Sequence, residues 1–368
     1  IYTIIFLTLF CIQLFYNFFF FIRLALHFES DSIADNIRLP ITIIICAKNE
    51  YRNLNQYLIS SLIQENNSPF EILVVNDNSE DDTNYLIDDL KKQYSNLSYV
   101  TLTQEGKLIP GKKYPLAIGI RSAKYETLLL TDADCLPATE HWLKRFQQKF
   151  SNDYEIVLGY VSYFKEKGLL NVCIRFNTYH NALQYLSYCL AGFPFMGVGG
   201  NLAYNRKIFL NNKGFASLNH LASGDDDLFI NQVTNSSNTT ICVHPDAFVF
   251  SEPKHTWKDW IRQRKRHLST APYYKTKHKF TLFVYQLSIN LIVLSLIGCI
   301  WFLPDHLVVT LGFYLLLIII RFFVQYATLK KLQETSLWYM LILFDFFFPI
   351  ISLLTFKGLF NSNKNNWS

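Results

Sequence analysis

Apolar and polar positions divide the chain into two kinds of territory. Ile1 to Ile22 contains no charged residue and is followed by Arg23, and Phe280 to Leu303 is likewise uncharged and stops at Pro304-Asp305-His306. Leu307 to Leu329 and Leu337 to Phe356 carry one charge each, Arg321 and Asp345. A bilayer core of about 30 Å asks for roughly 20 apolar residues in a helix, so the pattern predicts spans over 1–22, 280–303, 307–329 and 337–356. The first reads as an anchor rather than a cleaved signal, because it shows no basic n-region, its apolar run is too long and no small-x-small site follows. The chain opens on Ile1 rather than Met, so a few preceding residues are expected and an n-region could have stood among them.

Between 38 and 253 the pattern changes. Ile41 to Cys46, Phe70 to Val75, Tyr99 to Leu102 and Thr127 to Leu130 are β-branched or aliphatic runs of strand length,. Leu54 to Ile63, Thr83 to Tyr94 and Pro115 to Lys124 show helical spacing between them. Such alternation predicts βαβ units and a mainly parallel sheet, an α/β fold with its chemistry beyond the carboxyl ends of the strands. Residues 254–278 read as an amphipathic interface helix, with Trp257, Trp260, Ile261 and Leu268 beside Lys258, Arg262, Arg264, Lys265 and Arg266,. Leu169 to Leu190, with Tyr179, Tyr185 and Tyr188, reads either as a second interface helix or as a buried core helix.

Composition agrees with the division. Half of the residues are hydrophobic and 17% are charged, against about 25% charged in soluble domains, which excludes a disordered chain and a small disulfide scaffold. The net charge of +5 gathers in Arg23, Arg38, Lys254 to Lys279 and Lys330-Lys331. By the positive-inside rule those loops face the cytoplasm, so the charge is a membrane-surface feature needing no nucleic acid. Seven cysteines scattered without a C-x-x-C pair suit reduced cytosolic thiols. Arg321 and Asp345, placed on facing sides of a hairpin that turns at Thr328 to Ser336, each lie roughly 12 to 14 Å into the membrane at about 1.5 Å per residue. Intramembrane charges face protein or pair with each other, and a contact between the two is expected. The alternative is a snorkelling Arg and a protonated Asp.

The polar residues cluster at the strand ends. Ala47-Lys48-Asn49-Glu50, Asn76-Asp77-Asn78-Ser79 and Thr131-Asp132-Ala133-Asp134 follow the first, second and fourth runs. Helix capping accounts equally well for Asn78 and Ser79. It fits Asp132 and Asp134 less well, since both fall on one side of the strand end. Two crowded carboxylates call for a hard divalent cation, Mg or Mn, of the kind that bridges carboxylates to phosphates. No glycine-rich phosphate loop is present, which leaves the metal, Lys112-Lys113 and the later basic segment to neutralise phosphate. Gly224-Asp225-Asp226-Asp227 opens a helix, and three acids in a row exceed what an electrostatic cap requires.

In this order the motifs resemble the family 2 inverting glycosyltransferases, in particular the membrane-embedded branch with the hyaluronan, chitin and cellulose synthases. Ala47 to Glu50, Asp77, Gly111-Lys112-Lys113, Asp132-Ala133-Asp134, Gly224-Asp225-Asp226 and Gln263-Arg264-Lys265-Arg266 carry the resemblance. It implies a GT-A fold, a nucleotide-diphosphate sugar donor (a UDP-sugar), a divalent cation, and a glycan or lipid-linked acceptor at the cytoplasmic membrane face. Ala47, Asn49, Glu50, Asp77, Lys112, Lys113, Asp132, Gln263 and Arg266 are then donor-binding, and Asp134 with Asp132 holds the metal. Asp226 matches the general base, with Asp225 as the alternative. Gln263 and Arg266 match Q-x-x-R, but the Trp that follows it in the family is His267 here, which puts processive synthesis in doubt. A single-addition transferase to a polyprenyl-phosphate or lipid-linked glycan is the alternative to a polymerase. Gly200 and Asn201 resemble the acceptor loop only loosely. A transporter would leave the acidic boxes unexplained, and a scaffold would not need them.

Overall fold

The structure is a computed structural model and describes residues 2–33, 39–66, 68–103, 111–150, 154–221, 223–302 and 304–356; Arg38 and Pro110 lie outside them. Four parallel strands, β1 (Ile41–Ala47), β2 (Phe70–Asp77), β3 (Leu97–Leu102) and β4 (Thr127–Asp132), form one half of the main sheet. Three short strands, β6 (Ile156–Leu158), β8 (Leu202–Asn205) and β9 (Thr239–Ile241), complete the sheet in the order β3-β2-β1-β4-β8-β6-β9, with β8 antiparallel to both neighbours. A second sheet pairs β5 (Cys135–Pro137), β10 (Val249–Ser251) and β7 (Val161–Tyr163) in the order β5-β10-β7. The run Ile-Thr-Ile-Ile-Ile-Cys-Ala of β1 is unbroken because both faces are covered,. Ile44 and Cys46 enter one core; Ile41, Ile43, Ile45 and Ala47 enter the other.

The first of those cores does not stop at the α/β domain. It continues through Tyr16, Phe20, Phe21 and Leu24 of the N-terminal helix and Tyr285, Leu329, Leu337 and Phe344 of the C-terminal ones. The helix Leu169–Leu190 is the bridge, and this settles its two readings in favour of a core helix. Tyr179 donates to the Gln325 carbonyl at 2.9 Å, Tyr185 donates to the Gly159 carbonyl at 2.7 Å, and Phe20 stacks on Tyr188 at 4.1 Å. In the helix Trp257–Leu268, Trp257 is exposed but Trp260 is buried against Cys173, Ile174 and Ile351. Only the first tryptophan remains available to a headgroup layer.

Among the described residues three helices are long and apolar enough to cross a membrane: Tyr2–Leu26, Thr276–Phe302 and Pro304–Lys331. The first has a π-helical stretch at Tyr16–Phe21. The stretch expected as a fourth span, 337–356, is instead a 3-10 segment, Thr335–Leu341, and a helix, Phe344–Thr355, bent by 85°. At about 1.5 Å per residue the second piece alone reaches about 18 Å, short of a bilayer core, but the two pieces together are long and apolar enough to count as one broken span or a re-entrant loop. Two buried ion pairs hold this bent unit, one at its start and one at its bend. Glu334, before it, is paired with Arg175 and accepts from Ser162 at 2.7 Å. Asp345, at the start of the second piece, receives both terminal nitrogens of Arg321. The contact expected between Arg321 and Asp345 is therefore present, with both side chains buried.

Candidate active site

The parallel strands end in line, so their following loops meet. Ala47 pairs with Asn76 and Cys46 with Asp132 across β1. Asp77 ends β2 and is buried; with β1 between, it lies about 10 Å from the Asp132 strand at the usual strand spacing. Asn49 and Asn78 both have positive φ, 57° and 53°, a conformation Asn tolerates better than most residues. The Asn49 N–H donates to Ser79 Oγ at 2.9 Å and its side-chain oxygen accepts from Glu80 N–H at 2.8 Å, so Asn49 clasps the two loops together. Asn76 builds the turn, its oxygen accepting from both the N–H and the hydroxyl of Ser79. Ala47 is wholly buried, which makes it a support for the loop rather than a surface for a donor.

Asp132 and Asp134 stand together with Cys135, their ligating atoms within 4.8 Å of one another. Lys112 is paired with Asp132. Asp134 accepts from Ser251 Oγ at 3.3 Å and from the Cys135 thiol at 3.6 Å. Burial, and then the charge of Asp132, push the Asp134 carboxyl above the usual range. Glu50 is raised as well, by burial and then by Asp134 and Asp132, although an Asn53 hydrogen bond works the other way. Three carboxylates facing one space with too little cation to balance them, and oxygen donors leading the set, fit Mg or Mn. Lys113, one residue on, turns away: it is fully buried and its ammonium donates to the Leu221 carbonyl at 2.5 Å. Consecutive residues at a helix start point in different directions, so Lys112 reaches Asp132 whereas Lys113 lies toward Asp225, Asp226 and Asp227; Lys254 adds a second positive charge near Asp134 and Glu50.

The third acidic run arrives from the other side. Asp226 caps the helix Asp227–Val233, accepting from the N–H of Asp227 at 2.7 Å and of Gly199 at 2.9 Å. Burial, followed by Asp225 and Asp227, pushes its carboxyl up to about 7. Asp227 is buried and tied down by Tyr274 Oη at 2.8 Å and by the hydroxyl of Thr270. Sequence reasoning gave Asp227 no role of its own, although the excess of a third acid over capping was the signal.

Gly199 and Gly200 lie against the two acidic groups. A Cβ on Gly199 would lie 3.4 Å from Asp226 Oδ2, and one on Gly200 would lie 3.3 Å from Asp132 Oδ2. Both acidic groups therefore come up against the same two-residue wedge, which has no side chains to keep them off. Asn201, the next residue, is buried and fully engaged, accepting from the Trp142 indole at 3.0 Å and donating to the Tyr160 and Ala247 carbonyls. It holds the wedge in place and offers nothing to an acceptor.

Gln263 donates to Tyr163 Oη at 3.4 Å. Tyr163 pairs with Ser251 between β7 and β10, and Ser251 donates to Asp134, so this motif is joined to the acidic pair through the small sheet. Tyr163 carries that link and had no sequence signal of its own. Arg266, three residues on and half-buried, shares Gln263's helix face,. His267 is exposed.

Comparison with known proteins bears on the fold and the family. No curated protein matches the chain by sequence. Among solved structures, the mannosyltransferase PcManGT from Pyrobaculum calidifontis, in complex with GDP-Man and Mn2+, is 17% identical with a TM-score of 0.56 over 94% of this chain and 99% of that one. TarS from S. aureus, in complex with UDP-GlcNAc, is 14% identical with a TM-score of 0.45 over 81% and 89% of the two chains. The fold is GT-A-like. Residues 42–211 match the model of glycosyl transferase family 2 and residues 127–354, more than half of the chain, that of glycosyl transferase family group 2, so the chain belongs to this group and is a glycosyltransferase.

Proposed function

We propose that the chain transfers one sugar, with inversion, from a nucleotide-diphosphate donor to a lipid-linked acceptor at the cytoplasmic membrane face. The observation that carries this reading is the Gly199-Gly200 wedge, which brings a proton acceptor, Asp226, and a cation-binding pair, Asp132 and Asp134, up against consecutive residues of one backbone segment. A sugar hydroxyl is a weak nucleophile at neutral pH, and a positioned carboxylate takes its proton during attack. Asp226 fills that role, and Asp225 raises its affinity for the proton. Mg or Mn held by Asp134 and Asp132 would supply charge neutralisation to the departing diphosphate. Arg266 and Lys112 add positive charge beside it, Asp77 lies where the base of the nucleotide would end, and Gln263 steadies the small sheet.

The cytoplasmic assignment rests on the basic residues. Lys331 reaches the carbonyl of His27, so the Arg23 end of the first span and the Lys330-Lys331 turn are adjacent, on the same side as the 254–279 segment. His267 in place of the family's Trp favours single addition over polymer synthesis. PcManGT binds GDP-Man and TarS binds UDP-GlcNAc, so a donor screen spans both nucleotides. Purified membranes given UDP- and GDP-sugars with Mg or Mn are expected to release nucleotide from one donor and to stop on chelation. Asp134→Asn is expected to recover part of its rate only at raised Mn. Full turnover of that variant under chelator would remove the metal from the reading.

A further inference from the structure

A groove of about 870 Å³ runs along the N-terminal span. One wall is a single face of that helix, with Leu7, Cys11, Phe15 and Phe19; the other is formed by Phe193 and Phe280. From Ile4 to Phe19 the wall extends about 22 Å at about 1.5 Å per residue, the scale of a long hydrocarbon chain rather than of a sugar. Its few polar groups are already engaged. Thr8 donates to the Ile4 carbonyl at 2.8 Å, Tyr16 to the Thr281 carbonyl at 2.6 Å, and Thr281 to the Lys277 carbonyl at 2.8 Å. Hydrocarbon can therefore occupy the groove without leaving a polar atom unsatisfied.

One end of the groove is not apolar. The Lys277 ammonium lies 4.9 Å from the centre of the Phe193 ring, with Lys275 and Lys279 on either side in the sequence. Positive charge at the mouth of an apolar groove matches a lipid with an anionic head. The Lys275 N–H donates to Asn231 Oδ1 at 2.8 Å, and Asn231 lies five residues along from Asp226 on the helix that Asp226 caps, about 8 Å at about 1.5 Å per residue, so Lys277 stands beside the helix that carries the base.

We propose that this groove holds the chain of the acceptor, a long-chain lipid phosphate whose anionic head is received at Lys277. The proposal rests on the transferase reading for the word acceptor, but its test does not. Cys11 lines the groove and is exposed, whereas the other six cysteines are buried, so alkylation of Cys11 reports occupancy directly. In the full chain, in detergent, farnesyl phosphate is expected to slow N-ethylmaleimide labelling of Cys11 several-fold. Farnesol should protect less and inorganic phosphate not at all. Lys277→Gln is expected to weaken protection by farnesyl phosphate about fivefold, the effect of one lysine at a lipid surface. Leu7→Trp should abolish it while thermal unfolding stays unchanged. Equal protection by farnesol and farnesyl phosphate, or by phosphatidylcholine, would overturn the proposal and leave a groove for ordinary bilayer lipid. Loss of nucleotide release with Cys11 protection intact would instead count against the transferase reading.

Discussion

Asp226→Asn is expected to lose sugar transfer by about two to four orders of magnitude, the usual contribution of a positioned general base, and to do so without unfolding. Asparagine keeps the shape and one acceptor oxygen at the helix cap but cannot take up the hydroxyl's proton. The charge environment makes a second expectation. Asp226 is held near 7 by burial and by Asp225 and Asp227, so wild-type activity should fall as pH drops through about 7 and the base becomes protonated. Asp225→Asn removes one of the repelling charges and should move that midpoint to lower pH while activity is retained. The stability sign runs the other way. A carboxyl whose folded pKa lies above its unfolded value stabilises the fold below the unfolded value and loses that contribution as pH rises through about 7. Wild type should therefore lose thermal stability relative to Asp226→Asn between pH 5 and pH 9. Rate–pH profiles and unfolding midpoints of the three proteins check this, and an inactive Asp225→Asn beside an active Asp226→Asn would transfer the role of base to Asp225.

Much of this site was legible before any coordinates because parallel sheets put chemistry at strand ends. The runs ending at Ala47, Asp77 and Asp132 are long, apolar and buried on both faces, so their period and termini survive in the sequence. The strands that complete the site do not: β5, β7 and β10 have three residues each, too few to show a period, and Tyr163 and Ser251 go unread with them. Motif matching also cannot separate neighbours. Lys112 and Lys113, or Asn49 and Glu50, look equivalent as letters, whereas backbone direction sends Lys113 to the Leu221 carbonyl and commits Asn49 to clasping Glu80. The membrane part shows the same division. Spacing along a hairpin was enough to bring Arg321 to Asp345, but the pairing of Arg175 with Glu334 joins segments 159 residues apart, and the 85° bend between them had no signal in hydropathy alone.

The pair of Arg321 and Asp345 should be the costliest polar contact in the molecule to break, and the cost should be unequal. Asp345 accepts from Arg321 and also from Tyr314 Oη at 2.8 Å, while the Arg321 guanidinium lies 4.6 Å from the Phe344 ring centre. If Arg321 is replaced by Leu, the stranded carboxyl keeps the tyrosine and can take up a proton. A guanidinium has no such escape, since it is not deprotonated in proteins. Asp345→Leu is therefore the more damaging change, at about 3–5 kcal/mol, the range for leaving one member of a buried pair uncompensated. Arg321→Leu should cost less. Because hydrophobic replacement of both partners is often neutral, the double Leu variant should be more stable than Asp345→Leu alone, and the charge-swapped variant should also exceed it. Unfolding midpoints in detergent across this cycle distinguish a coupled pair from two independent contacts. Strictly additive losses, with the two single variants equal, would show that Arg321 and Asp345 are stabilised separately and that the bend they pin is held by packing instead.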